Sequence, residues 1–308
     1  MPAAADRPAD AVQIAPPRGH DGGMAPDLRA KLAQALFSKV AGADGPEHRE
    51  RIHLAEGERW FAPDRPIRQV HLDSSMFIGG LRALLLQSLH PLAMAGVAQH
   101  SDFRNDPWGR LQRTSYFLAV TTFGVAEDAE RTVAKIRGIH RRVHGVAPDG
   151  RPYRADDPHL LKWVHLAEID SFLRTHQLYG AQPLDAERAD GYVADTAFVA
   201  RKLGVIDPPV TVAELDEQLE SYRPELHSTA EARAAARFLV VRPPLPIVAR
   251  PPYALLASAS IASLPAWTRW PLRLPYLPVA EATVVRAAAK GLVAGLRWVS
   301  TPPPQRAA

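Results

Sequence analysis

The sequence predicts an all-α protein, and three observations carry that prediction. Apolar residues recur at spacings of three and four through most of the chain, the period of a helix with one buried face. Helix-opening signatures repeat, with Asp106-Pro107 and Asp157-Pro158 each placing a capping carboxylate before a proline at the first helical position. No alternation of Val, Ile and Thr is long enough to suggest a sheet.

In chain order, a modest amphipathic helix is predicted over 25–40, followed by a charged, turn-rich stretch over 41–68. A long apolar helix over 74–98 comes next, kinked or broken near Pro91, which removes a backbone donor. Asp106-Pro107 opens a helix to about Phe123 that Gly124 ends, and a further helix covers 127–144 before Gly145. Residues 147–154 read as a polar Pro/Gly loop. Asp157-Pro158 then starts a helix to about Tyr179. Helices follow over 185–203 (ended by Gly204), 211–222 and 229–240, with proline clusters bracketing another over 253–264 and a last one over 281–299. One helical domain from about 25 to 300 is expected, with a tail at 1–24 and another at 301–308.

With 46% hydrophobic and 23% charged residues, 308 residues suffice for a core that encloses a ligand cavity. The net charge of +4 is spread over interspersed acids and bases, which argues against nucleic acid as a partner. Zero cysteines exclude disulfides, thiolate nucleophiles, iron–sulfur clusters and thiolate-ligated haem, leaving His, Asp and Glu as metal ligands. Residues 1–24 lack the apolar run of a signal peptide, so a disordered tail and a cytoplasmic chain are expected. Residues 76–98 match a bilayer in length, but Arg82, Gln87 and His90-Pro91 favour a buried central helix.

The chemistry concentrates between Leu89 and His144, where four histidines and an Arg-x-x-x-Thr pair occur. His140 shares a stripe with Val133, Ile136 and Val143 and should be buried, either as a core histidine bonded to a carbonyl or as a metal ligand. Arg137 and His144 are read as flanking it one turn before and after, and His140/His144 have the i, i+4 spacing of helical metal sites. Arg110 and Thr114 lie one turn apart beside Phe117 and Leu118. A buried guanidinium needs a partner: Asp102 or Asp106, or a bound anionic or oxygen-rich ligand. His165, in a run with Leu161, Val164, Glu168 and Phe172, is a second ligand or a hydrogen-bonding support. His90 before Pro91 can satisfy freed carbonyls. Glu-x-x-His occurs only at Glu50–His53, so the repeated pattern of a di-iron bundle is missing, as are phosphate loops and Gly-x-Ser-x-Gly elbows.

Taken together, His90-Pro91, Gly96, His100-Ser101, Phe103, Asp106-Pro107, Gly109-Arg110, Thr114, Phe123-Gly124, Arg137, His140, Gly145, Gly150, Tyr153, Asp157-Pro158 and Trp163-Val164-His165 resemble the MpaB-like oxygenase family. That family includes the rubber oxygenase (latex clearing protein) catalytic domain. The resemblance covers roughly 73–222, in order and spacing rather than in one decisive motif.

The resemblance implies a globin-like bundle enclosing one b-type haem. It places the proximal iron ligand on His140, a distal Arg/Thr pair on Arg110 and Thr114, and His144 near a haem propionate. Arg113 stands where some relatives carry a distal lysine. Because arginine stays protonated, the sixth iron position would be open or hold water. The carboxylate proposed as base in rubber cleavage has no counterpart in 91–99, where Met94 and Ala95 occur. The expected activity is haem-dependent chemistry of dioxygen on a small hydrophobic substrate received by the 76–97 helix, with Arg137, His144, Arg113 and His165 around the cofactor. Two rivals stand beside it: a non-haem metal site built from His140, His144 and His165 or Glu168, and a non-catalytic helical protein with peripheral membrane contact.

Overall fold

The computed structural model describes residues 24–301 and is mostly helical. Its elements run α1 (Met24–Ala41), α2 (Gly45–Leu54), α3 (Pro66–Leu72), α4 (Met76–Gln87), α5 (Pro91–His100), α6 (Pro107–Phe123) and α7 (Ala126–His140). A hairpin of β1 (His144–Val146) and β2 (Pro152–Arg154) follows. The chain continues through α8 (Pro158–Tyr179), α9 (Ala186–Leu203), α10 (Val212–Ser221), α11 (Ala230–Val241), α12 (Arg250–Ala262), α13 (Ala266–Arg269), α14 (Pro278–Ala280) and, after a π turn, α15 (Arg286–Ser300). The two expected tails lie outside the described residues, apart from Met24 and Thr301.

The capping chemistry accounts for most boundaries. Asp106, Asp157, Asp185, Thr211 and Thr229 each accept a hydrogen bond from a backbone N–H of the first turn that no carbonyl of the helix could reach. Gly204 ends α9 in the left-handed region at φ 106°, which a side chain would strain. At Gly124 the reason is proximity, since a Cβ there would sit 2.6 Å from the Val120 carbonyl oxygen.

The core forms around α8, which runs along α4 and also packs on α3, α5, α9, α10 and α15. Trp163, Leu166, Leu173, Leu85, Leu86, Leu89, Tyr192 and Leu215 are almost wholly buried there. Each buried aliphatic side chain contributes roughly 2–3 kcal/mol. Arg82 lies in this core too, because its Nη2 is 2.7 Å from Asp170 Oδ2 while its other nitrogens reach Ser171 Oγ and the Ser263 carbonyl.

Three expectations need correction. The 41–68 stretch holds α2 and the start of α3, its charged residues being the solvated side of short helices. The apolar stretch over 74–98 is broken before Pro91 as expected, into two helices bent by 108°, and no single helix among the described residues is long and apolar enough to cross a membrane. The helix expected to reach His144 stops at His140, because the chain must turn to pair His144 with Arg154, Gly145 with Tyr153 and Val146 with Pro152. A small sheet therefore exists where none was expected. It is held down by Tyr153, whose hydroxyl donates to Gln99 Oε1 and pairs with His100 Nε2 on α5.

Candidate functional site

Helices α6 and α7 pack together and are joined through Gly124 and Val125. At about 1.5 Å per residue, Arg110 lies about 20 Å from the end of α6 and His140 about 21 Å from the start of α7. Both therefore sit at the end of the helix pair away from the junction. Arg59 braces the junction itself, donating to the carbonyls of Ile52, Ala55 and Phe123.

Neither aspartate expected to pair with Arg110 does so. Asp106 caps α6 through Gly109 N and takes Arg113 as its ion-pair partner at 3.2 Å, and Asp102 accepts from Asn105. Arg110 Nη1 donates only to the neutral Ser101 Oγ, at 2.7 Å. Burial, with the Arg113 charge nearby, pulls its pKa below the usual arginine value. Thr114, one turn on, returns its hydroxyl proton to the Arg110 carbonyl at 3.0 Å and keeps the rest of its side chain accessible.

His140 is partly buried at the last turn of α7. Its Nδ1 is buried with no hydrogen-bond partner, so the ring is not the carbonyl-bonded core histidine that was one reading of the sequence. Burial lowers its pKa against the opposing charge of Asp156, and the ring is neutral at pH 7. Arg137 and His144 do not bracket it on one helix face as expected: Arg137 is exposed and donates to the Lys202 carbonyl at 3.4 Å, and His144 is exposed on β1.

On α8 the stripe Leu161, His165, Glu168 keeps accessible surface while the opposite stripe, Leu160, Trp163, Ala167, Asp170, is buried. His165 and Glu168 are nevertheless far enough from bulk water for burial to lower the first pKa to about 3 and raise the second to about 7. Accessible surface combined with desolvation is the condition of side chains lining an enclosed space. His165 Nε2 is buried and unpartnered, and no hydrogen bond or ion pair reaches the Glu168 carboxyl. His71 on α3 is in the same condition, its pKa lowered to about 3 by burial and then by His176. Its Nδ1 pairs with Thr122 Oγ1 at 2.8 Å, and its Nε2 lies 3.4 Å from the Tyr192 hydroxyl. Gly80 on α4 has nothing within 4 Å of where a Cβ would stand.

The model of the ER-bound oxygenase mpaB/B'/Rubber oxygenase catalytic domain matches residues 68–298. The chain belongs to this oxygenase family. Among curated proteins it is similar to the uncharacterized protein Mb2261 of Mycobacterium bovis and the uncharacterized protein Rv2237 of Mycobacterium tuberculosis. Each is 32% identical over 111 residues, which are 35% of this chain and 43% of the relative. The match thus spans less than half the length of those relatives. No solved structure matches.

Within this oxygenase-family chain, the alternative metal set of His140, His144 and His165 or Glu168 is not assembled. Among the described residues the three-residue group with ligand atoms in mutual reach is a different one, His90, His159 and Glu225. A cleft of about 630 Å³ lined by Arg82, Asp170, Arg174, Asp216, Trp163 and Trp267 also contains none of the expected site residues. Sequence reasoning missed His71 and Tyr192, which lie on α3 and α9 and share no motif with α8, whereas the period of α8 did put Glu168 on one face with Leu161 and Phe172, beside His165 and as an alternative metal ligand.

Proposed function

We propose that this chain is a haem b-dependent oxygenase acting with dioxygen on a hydrophobic substrate inside a globin-like bundle. The observation that carries the reading is Arg110: a desolvated guanidinium facing only a serine hydroxyl is costly unless a negative or strongly polar ligand completes it. The residues present fit a haem, since the buried Nδ1 of His140 and Nε2 of His165 lack partners and open space stands at Gly80. Bound haem would supply iron-centred activation of dioxygen, with the neutral His140 ring as the protein's iron ligand.

The roles of the other residues follow from their surroundings. Arg110 presents fixed positive charge, and low solvation strengthens its pull on any oxygen that becomes negative. Thr114 keeps its hydroxyl tied to α6 and leaves a lone pair for donors at the site. Arg137 and His144 are exposed and available to carboxylates at the rim, whereas Arg113 is held by Asp106 at the surface, consistent with a role outside iron coordination. His165 stays neutral at pH 7 and leaves its buried Nε2 free to bond a bound group. Glu168, balanced near pH 7, can accept a proton at a carboxyl oxygen and return it, the task for which the 91–99 stretch offers no side chain. The apolar surfaces of Met76, Ala93 and Val97 suit a hydrophobic substrate.

Pyridine haemochrome analysis with iron quantitation on haem-supplemented protein tests the proposal. One non-covalent haem per chain is expected, and iron well below one per chain overturns it.

A further inference from the structure

His90 is the least satisfied ionisable side chain in the core. It is 1% exposed and neither ring nitrogen has a hydrogen-bond partner. Its role in the break between α4 and α5 is met by the backbone, which donates from His90 N to the Gln87 carbonyl and accepts Met94 N. The imidazole is left over. Its Nε2 stands 3.4 Å from Glu225 Oε2, while Trp163 and Tyr222 pack around the ring.

The third member is His159, in the first turn of α8, with Nε2 2.9 Å from both Glu225 oxygens. Its orientation is fixed from behind. The Tyr222 hydroxyl donates to the His159 carbonyl at 2.8 Å and stands 3.1 Å from Nδ1, and the two rings stack at 4.6 Å. Having given away its one proton, that hydroxyl can only accept at Nδ1, so Nδ1 carries the hydrogen. Nε2 then faces the Glu225 carboxylate, and the positive charge that belongs between them is a proton or a metal ion.

We propose that His90 Nε2, His159 Nε2 and one carboxylate oxygen of Glu225 form a binding site for a divalent transition metal of the Zn²⁺ class. The three ligand atoms lie within 4.8 Å of one another. Tetrahedral bonds of about 2.0–2.1 Å need ligand edges of about 3.3 Å; the two edges to Glu225 Oε2 are 3.4 and 2.9 Å, and the edge between the two imidazoles is within 4.8 Å. Two imidazoles and one carboxylate suit zinc chemistry, and three protein ligands leave a fourth position for water. Tyr222 on His159 Nδ1 supplies the outer hydrogen bond that such ligands use to fix ring orientation. The nearby cation Arg151 is engaged by Asp149 at 2.7 Å. The metal would join the hinge before α5, the start of α8 and the 223–225 turn, segments more than sixty residues apart in sequence. The site is independent of the haem reading.

The test is titration of the untagged, EDTA-stripped full-length chain with ZnCl₂ by calorimetry, with Co²⁺ absorbance as a second probe and haem content measured in parallel. One saturable site per chain is expected, with a raised melting temperature. His159→Ala/Glu225→Gln, whose side chains are solvent-accessible, should keep the helical circular dichroism and weaken Zn²⁺ binding at least tenfold. Tyr222→Phe should weaken it about ten- to hundredfold with all three ligands present. Absence of a saturable site, or binding unchanged in both variants, overturns the assignment, whatever the haem content.

Discussion

Replacing Glu168 with glutamine should stabilise the protein at alkaline pH and leave it unchanged in acid. Burial raises the Glu168 carboxyl from its ordinary 4.5 to about 7, and no hydrogen bond or ion pair offsets that burial. In the folded state the group holds its proton up to about pH 7, whereas in the unfolded chain it releases it near 4.5. Over that window the folded state binds more protons, so stability falls as pH rises. Each pH unit is worth about 1.36 kcal/mol, and the interval amounts to roughly 3 kcal/mol lost by pH 8 and above. Glutamine keeps the shape and cannot ionise. Other groups titrate as well: His71 and His165, lowered to about 3 by burial, make stability fall as pH drops from about 6.5 toward 3. The difference between wild type and Glu168→Gln cancels their contribution. Urea unfolding of both proteins, in the same cofactor state, at pH 4.5 and pH 8.5 measures it. A variant advantage near 3 kcal/mol at pH 8.5 that disappears at pH 4.5 is expected. Equal stability at both pH values would mean that Glu168 is solvated or paired, and the enclosed space inferred along α8 would fall with it.

Three further outcomes follow from the same structure. His140→Ala should abolish haem retention while His144→Ala keeps most of it, since the second ring is exposed on β1; haemochrome assay of both variants would refute the iron assignment by the opposite ranking. Arg110→Leu should leave the urea midpoint unchanged or raised, because no carboxylate is orphaned, while slowing oxygen turnover about a hundred- to thousandfold; normal turnover per haem contradicts the charge-stabilising role. Asp170→Ala should cost about 3–5 kcal/mol by leaving Arg82 unpaired in the core, and a loss below 1 kcal/mol in urea unfolding would show that water reaches the pair.

The helical class and most helix boundaries were legible because they are local. An aspartate or threonine satisfies N–H groups two or three residues away, and a glycine at a helix end answers to its own backbone and the preceding turn. That locality explains why α6, α8, α9, α10 and α11 begin where the sequence says they should. It also explains the errors. His140, Val143 and His144 continue a helical period, but pairing of 144–146 with 152–154 and the Tyr153–Gln99 contact across the chain outweigh one more helical turn. The family was readable from ordered motifs spread over many elements.

Which charges are paired was a different matter. Asp106 could serve Arg110 or Arg113 by spacing alone, and only the packed structure gives it to Arg113 and leaves Arg110 facing Ser101. Glu168 has the same neighbours in sequence whether its face meets water or an enclosed space, and only packing turns it into an acid balanced near pH 7. His90, His159 and Glu225 carry no shared motif. The bend before Pro91, the start of α8 and the turn after α10 bring them within ligand reach. Local hydrogen bonding and periodicity act within a few residues and can be read from the chain, whereas desolvation and charge pairing depend on atoms from distant segments and exist only once the bundle has closed.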